Sequence, residues 1–425
     1  MKQNQQHHIV FYGWWIVAAC FLISMYVSGT VHFGFTAFFE PIAKEFGWSY
    51  TQVSFAASLR GLEMGLFVPV VGLLVDRWGP RKLILTGAIL SGLGLVLLSQ
   101  ITSLPMFYGV FALIGIGISA CIGVAPMTAI ANWFRRKMPI AVGVVLSGVA
   151  LGGFLIPVLT RLIDVFQWRT VMAILGLGMW GIVLPLSLVV RHKPEQYGYL
   201  PDGVSSNTTV VSESQTSDTS EVSIPVKQAV RSGAFWHLAL AFMGNFAVVT
   251  AVVTHVMPYL GSIGVGRSTS SLVAGAMPLF TIFGRLGLGW LGSMFDKRWL
   301  VAMCSVLIGL GMLSFGFATT MGIWLVVPFL VFFSIGYGGS ATMTSVLVRE
   351  YFGRSRFGII LGFVMGIMTI GQIIGPPLAG WVFDTWGSYQ GAWFAFAGLA
   401  LAAAVSLVTA PSVSETSQRA DTLGA

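Results

Sequence analysis

Gly72-Leu-Leu-Val-Asp76-Arg77 and Gly292-Ser-Met-Phe-Asp296-Lys297 are two versions of one phrase, 220 residues apart. Each closes a long apolar run with an acid and then a base. Further on, Trp133-Phe134-Arg135-Arg136 is echoed by Tyr351-Phe352-Gly353-Arg354 at an offset of 218, and Gly143, Gly152 and Pro157 are echoed by Gly362, Gly371 and Pro376 at 219. Three landmarks in one order at nearly one offset describe a chain built from two copies of the same half. An even number of membrane spans per half gives both copies the same orientation, related by an axis along the membrane normal.

The apolar runs supply that even number. Stretches long enough to cross a hydrocarbon core of about 30 Å fall at about 12–33, 53–75, 83–100, 105–132, 139–160, 169–190, 233–258, 268–294, 299–318, 321–348, 357–382 and 390–409. The expected fold is therefore an all-α membrane protein of twelve transmembrane helices in two parallel six-helix repeats. Its parts are an N-terminal half (1–190), a cytoplasmic linker (191–232), a C-terminal half (233–409) and a cytoplasmic tail (410–425). The linker is polar, with Ser205, Ser206, Asn207, Thr208 and Thr209 together, and has little to bury. Residues 223–231 suit a short surface helix.

Composition excludes the soluble alternatives. Only 9% of the 425 residues are charged and the mean hydropathy is +0.84, against about 25% charged residues in soluble domains. The net charge of +8 reflects loops retained in the cytoplasm, not affinity for nucleic acid. With the amino terminus inside, the inner segments hold 17 of the 23 Lys and Arg residues, and this bias places both termini in the cytoplasm of a multi-pass inner-membrane protein. Cys20, Cys121 and Cys304 each lie in an apolar run and have no metal-ligand spacing. Neither a metal nor a cofactor is expected. Gly287-x-Gly289-x-x-Gly292 lies within a span and follows no strand, so it is not a dinucleotide fingerprint.

The Gly72–Arg81 loop resembles the signature loop of the major facilitator superfamily. Tyr12-Gly13-Trp14-Trp15, Glu45-Phe46-Gly47-Trp48-Ser49 and Asn132-Trp133-Phe134-Arg135-Arg136 are similar to the monocarboxylate transporters and their bacterial relatives, near the oxalate/formate antiporters. The resemblance implies an alternating-access transporter, not an enzyme. It also implies that Asp76, Arg77 and Arg81, with Asp296, Arg135 and Arg136, form a cytoplasmic charge relay that holds one state closed.

Three formal charges fall well inside the expected spans: Arg60, Glu63 and Arg285. A charge at that depth costs several kcal/mol unless it meets a partner or an aqueous cavity. Arg60 and Glu63 stand three apart on one helix face and can pair. Arg285 has no acid nearby in its own span. Counted back from Asp296 it lies roughly 16 Å in, near mid-depth, and its planar fork matches a carboxylate. The resemblance points the same way, since Arg285 matches the family's substrate-binding arginine of span eight. The family's acid four residues earlier is Thr281 here, its span-one lysine aligns with Phe33, and span eleven lacks the lysine that the oxalate antiporters use as a second cation.

One buried cation suits one carboxylate. The expected substrate is a small monocarboxylate of the lactate or pyruvate type, moved with a proton across the lipid bilayer. The alternatives are an oxalate/formate-type exchanger and a ligand-sensing homologue that does not transport. Tyr337, Asn245, His255, Ser147 and Gln372 are the further substrate-binding candidates, because each has a polar group within a span that can reach a substrate oxygen. Each can equally join two helices. His255, Glu63 and His32 are the candidates for carrying the proton.

Overall fold

The computed structural model describes residues 11–122, 124–134, 137–197, 226–292, 294–352 and 357–411, apart from the side chains of 60–70 and of some further helical positions, Asp76 among them. Arg135, Arg136, most of the linker and most of the tail lie outside the described residues, as do the side chains of Arg60 and Glu63.

Every regular element among the described residues is helical. They run α1 (Tyr12–Val27), α2 (Phe35–Phe46), α3 (Tyr50–Leu98), α4 (Leu104–Cys121), α5 (Val124–Trp133), α6 (Met138–Leu151), α7 (Leu155–Gly178), α8 (Leu184–Val189), α9 (Val226–Arg231), α10 (Gly233–Ser262), α11 (Arg267–Leu291), α12 (Lys297–Met321), α13 (Val326–Phe352), α14 (Phe357–Trp386) and α15 (Gln390–Thr409). Short α9 covers the last six of the residues expected to form a surface helix at the end of the linker, but its Ala229 is buried in the core beside Val226 and Val230. A wide turn of the helix at Ser28–His32 links α1 to α2, and a second at Met179–Val183 links α7 to α8.

Two elements contain a residue whose backbone is not helical. Helix α3 breaks at Gly79 (φ 79°, ψ 158°), a conformation that glycine adopts without steric penalty and that separates the spans expected at 53–75 and 83–100. Helix α7 breaks at Gln167 (φ 64°, ψ 152°), between the spans expected at 139–160 and 169–190. Ten apolar stretches long enough to cross a membrane occur among the described residues, one of them Ile140–Val189. Dividing that stretch at Gln167 and adding the part of α3 before Gly79 restores the twelve expected crossings.

The described residues gather into two compact units. One draws on Met1–His32, Leu66–Gly152 and Arg169–Ser214, the other on Phe33–Gly65, Gly153–Trp168 and Gln215–Ala425. In the first, hydroxyls of the first span tie it to later helices: Tyr12 donates to the Val189 carbonyl at 3.0 Å, Tyr26 to that of Leu175 at 2.8 Å and Ser28 to that of Val149 at 2.7 Å. The Arg191 guanidinium stands 3.9 Å from the Tyr12 ring centre and 4.3 Å from that of Tyr197, a pair of cation–π contacts that fixes the chain beyond α8.

In the second unit, α10 to α15 enclose a core that includes Phe235, Phe242, Leu347 and Phe352. Near the C-terminal end of α10, Tyr259, Phe315, Phe329 and Trp393 interlock, with Phe315 and Phe329 stacked at 3.8 Å.

The repeat is visible in this packing. A Cβ on Gly152 would lie 2.7 Å from the amide nitrogen of Gly29 and 2.9 Å from the Met25 carbonyl. Its counterpart Gly371 would meet the Met243 carbonyl at 2.1 Å. In each half, the first span therefore packs backbone to backbone on the fifth, at a position where only hydrogen fits.

Candidate functional site

Arg285 and Tyr337 come together because α11 and α13 touch. A Cβ on Gly284 would lie 2.1 Å from the Ile335 carbonyl, and one on Gly338 would lie 2.1 Å from the Thr281 carbonyl. These glycines, each next to a candidate residue, set the helices at backbone contact. The guanidinium of Arg285 is an electrostatic neighbour of the Tyr337 phenol, whose ring lies 6.4 Å from that of Phe333.

The Nε of Arg285 is buried without a hydrogen-bond partner, and among the described residues no carboxylate pairs with this arginine. Thr281, where the family resemblance places an acid, donates its hydroxyl at 2.5 Å to the Pro278 carbonyl of its own helix. Arg285 lies six residues from the end of α11 at Leu291, about 9 Å along the axis. That is nearer one end of the helix than the mid-depth reached by counting from Asp296, because α11 stops five residues before that acid.

The other candidates fall in different places. Asn245 is buried in α10, donates from Nδ2 to the Ser305 hydroxyl of α12 at 2.8 Å and leaves its Oδ1 buried without a partner. Gln372 is buried in α14. Ser147 belongs to the first unit and donates to Gly143 of its own helix at 2.8 Å. His32 ends the wide turn of the first span, half-buried. Of the expected charge relay, Arg77 is exposed and Arg81 half-buried. Asp296 accepts from the amide of Arg298 at 2.8 Å and so caps α12.

His255 sits in a polar network where α10 ends. It is wholly buried, with Nε2 at 2.9 Å from the Pro376 carbonyl and 2.8 Å from the Ser54 hydroxyl, and Nδ1 at 2.9 Å from the Tyr389 hydroxyl. A carbonyl only accepts, so Nε2 carries the hydrogen and Nδ1 receives that of Tyr389. Burial pushes the Tyr389 phenol well up from its ordinary range, with Tyr50, Asp384 and Glu40 adding to the shift, which keeps it a donor. The ring of Phe39 closes over the imidazole at 4.9 Å. Both nitrogens are thus occupied by protein, and His255 joins α3, α10, α14 and the start of α15.

Proline supplies two more links at this end. Pro377 has no N–H to give the Ile373 carbonyl, and Ser58 of α3 donates to it at 2.5 Å. Pro41 likewise frees the Ala37 carbonyl of α2, which accepts from Nη2 of Arg267 at 2.9 Å, while Nη1 of Arg267 pairs with Asp164 at 2.7 Å. Asp384 of α14 accepts from the amides of Tyr50 at 2.9 Å and Thr51 at 2.8 Å and from the Thr51 hydroxyl at 2.6 Å. Sequence reading missed these acids. Their signal was the repeat itself, since Asp164 and Asp384 stand 220 residues apart.

Known proteins resemble this chain in sequence and in architecture. The chain is 26% identical over 415 residues to monocarboxylate transporter 12 of Rattus norvegicus, covering 92% of this chain and 83% of that protein. It is also 26% identical to monocarboxylate transporter 2 of Mus musculus, covering 89% and 80%. Among solved structures, a bacterial homologue of the human lysosomal transporter Spinster, in an inward-facing and occupied conformation, superposes with a TM-score of 0.70 at 16% identity, over 96% of this chain and 97% of that one. A mutant of the nucleoside transporter NupG superposes with a TM-score of 0.73 at 13% identity, over 93% and 100%. The sequence profile of the Major Facilitator Superfamily matches residues 14–293 and again 256–422, and the chain is a transporter belonging to that superfamily.

Proposed function

We propose that this transporter carries a small monocarboxylate, of the lactate or pyruvate type, together with a proton, and that Arg285 binds the carboxylate. The observation behind the reading is the Arg285 guanidinium itself: a cation beside Tyr337, with a buried Nε that has no partner. A buried donor without an acceptor is destabilising, and a bound carboxylate removes that cost through two parallel charge-assisted hydrogen bonds. Tyr337 serves as a second donor to the anion. The names of the similar monocarboxylate transporters support the same substrate class.

Proton coupling follows from the charge balance. Carrying one negative charge inward against an inside-negative potential costs about 2.3 kcal/mol per 100 mV, and one accompanying proton makes the step electroneutral. Glu63 and His32 are the side chains proposed to carry it. His255, with both nitrogens engaged, is assigned to the junction of α3, α10, α14 and α15 and not to the substrate. The charge bias of the loops supports an inner-membrane protein with both termini in the cytoplasm.

The test is uptake into proteoliposomes of labelled lactate, pyruvate, formate and oxalate, with and without an inward acid step. Monocarboxylate uptake that accelerates with the acid step and vanishes in Arg285→Ala is expected. Uptake that requires internal anion and ignores the pH step would instead identify an exchanger, and Arg285→Ala transporting at the parental rate would remove Arg285 from the site.

A further inference from the structure

We propose that Asp164 and Asp384 are a repeat-related pair of clasps that hold one end of the transport path shut. They stand at the offset of 220 that also relates Asp76 to Asp296, so the two halves carry the same acid at the same place, beyond the fifth span of each. Each acid grips the start of a helix from the other half of the sequence. Asp384 takes the first turn of α3 through the Tyr50 and Thr51 amides and the Thr51 hydroxyl. Asp164 takes Arg267, the first residue of α11. Helices α3 and α11 are themselves repeat counterparts, so the arrangement is reciprocal.

The chemistry suits a clasp that forms and releases. The amides at a helix start have no acceptor within the helix, and the helix dipole favours a carboxylate there. Asp384 supplies that carboxylate from another helix, and Gly380 lets the two meet, since a Cβ on it would lie 2.8 Å from the Thr51 nitrogen. Arg267 is fastened on both sides, to Asp164 and to the Ala37 carbonyl that Pro41 leaves free. Further along the chain segments that Asp164 and Arg267 join, the backbones of Gly153 and Gly275 approach so closely that a Cβ on either would lie under 3 Å from the other's carbonyl. The segments 36–58 and 153–164 cannot part from the C-terminal half at this end while both clasps hold. The charge bias of the loops assigns this end to the outer face, opposite the relay of the signature loops.

A buried reporter thiol tests the proposal. Ala274 is 3% exposed and lines a small cleft with Phe33, Val253 and Met277. With Cys20, Cys121 and Cys304 replaced by alanine, Ala274→Cys in purified protein should react slowly with a maleimide. Asp384→Ala and Asp164→Ala should each speed that reaction about tenfold, the effect of losing hydrogen bonds to a charged group. The exchange Asp164→Arg with Arg267→Asp should restore the rate to roughly twofold of the parent. Parental rates in both single aspartate variants, in protein that elutes as a single native peak, would overturn the proposal, as would a charge exchange that labels as fast as the single variants. If Asp384→Ala does not accumulate, Asp384→Asn keeps one acceptor without the charge. It should label about threefold faster than the parent, and a parental rate there removes Asp384 from the latch.

Discussion

The Tyr389 hydroxyl stands 2.9 Å from Nδ1 of His255, and the opposite nitrogen of the same ring is taken by Ser54 and the Pro376 carbonyl. The imidazole is a junction between helices, so its loss should be felt in stability. His255→Ala should lower the unfolding free energy by about 1–3 kcal/mol, the cost of leaving buried polar groups unpaired, and Tyr389→Phe should cost less. A thermal-denaturation double-mutant cycle should give a coupling of about 0.5–3 kcal/mol. The pH profile of residual uptake should keep its midpoint. A midpoint displaced in His255→Gln would return this histidine to the list of proton carriers.

Replacing Arg285 by lysine keeps the charge and loses the planar fork. The expected outcome is a KM for the carboxylate raised at least tenfold, equivalent to about 1.4 kcal/mol, with full-length protein at parental levels in the membrane. Initial-rate uptake over a range of substrate concentrations measures it.

The contact that places Arg285 beside Tyr337 is itself open to test. Gly338→Ala would put a methyl group 2.1 Å from the Thr281 carbonyl, a backbone atom that can yield only if α11 moves. Overpacking of this kind costs about 1–3 kcal/mol. A lowered melting midpoint together with weakened substrate binding is expected. Gly362→Ala, where a Cβ meets nothing within 4 Å, should change neither.

Ser58 and Pro377 should compensate for one another. Ser58→Ala strands the Ile373 carbonyl and should cost about 1 kcal/mol. In a Pro377→Ala background the restored N–H can reach that carbonyl, and the same serine substitution should cost clearly less. Equal costs in the two backgrounds would show that the serine acts through something other than this oxygen.

The repeat and the helices were legible because apolar runs and echoed motifs are linear properties. Even the break at Gly79 was implied by where two spans had to separate. The position of Arg285 within a span was legible too, but its distance from the helix end was not, since α11 stops at Gly292, before Asp296, and that glycine is one of four between 284 and 292. His255 was the least readable. A histidine in an apolar helix looks the same in sequence whether it faces a path or a knot of hydroxyls. The partners that decide the matter, Ser54, Pro376 and Tyr389, lie 201, 121 and 134 residues away. Asp164 and Asp384 were accessible to the offset argument but look like ordinary loop acids until their helix-start partners are known.

The carbonyls of Ala37 and Ile373 lead to a consequence for how the closed end can open. Proline has removed the amide that would satisfy each of them within its own helix, and a side chain from another helix stands in its place. When the segments part, neither oxygen can turn back to its own backbone, and an acceptor stripped bare in apolar surroundings costs several kcal/mol. A water molecule must arrive at each as the side chain leaves. Wetting of two proline-freed oxygens would then set the pace of opening, and a slower solvent, or a bulkier neighbour that keeps water out, should slow transport without touching the substrate.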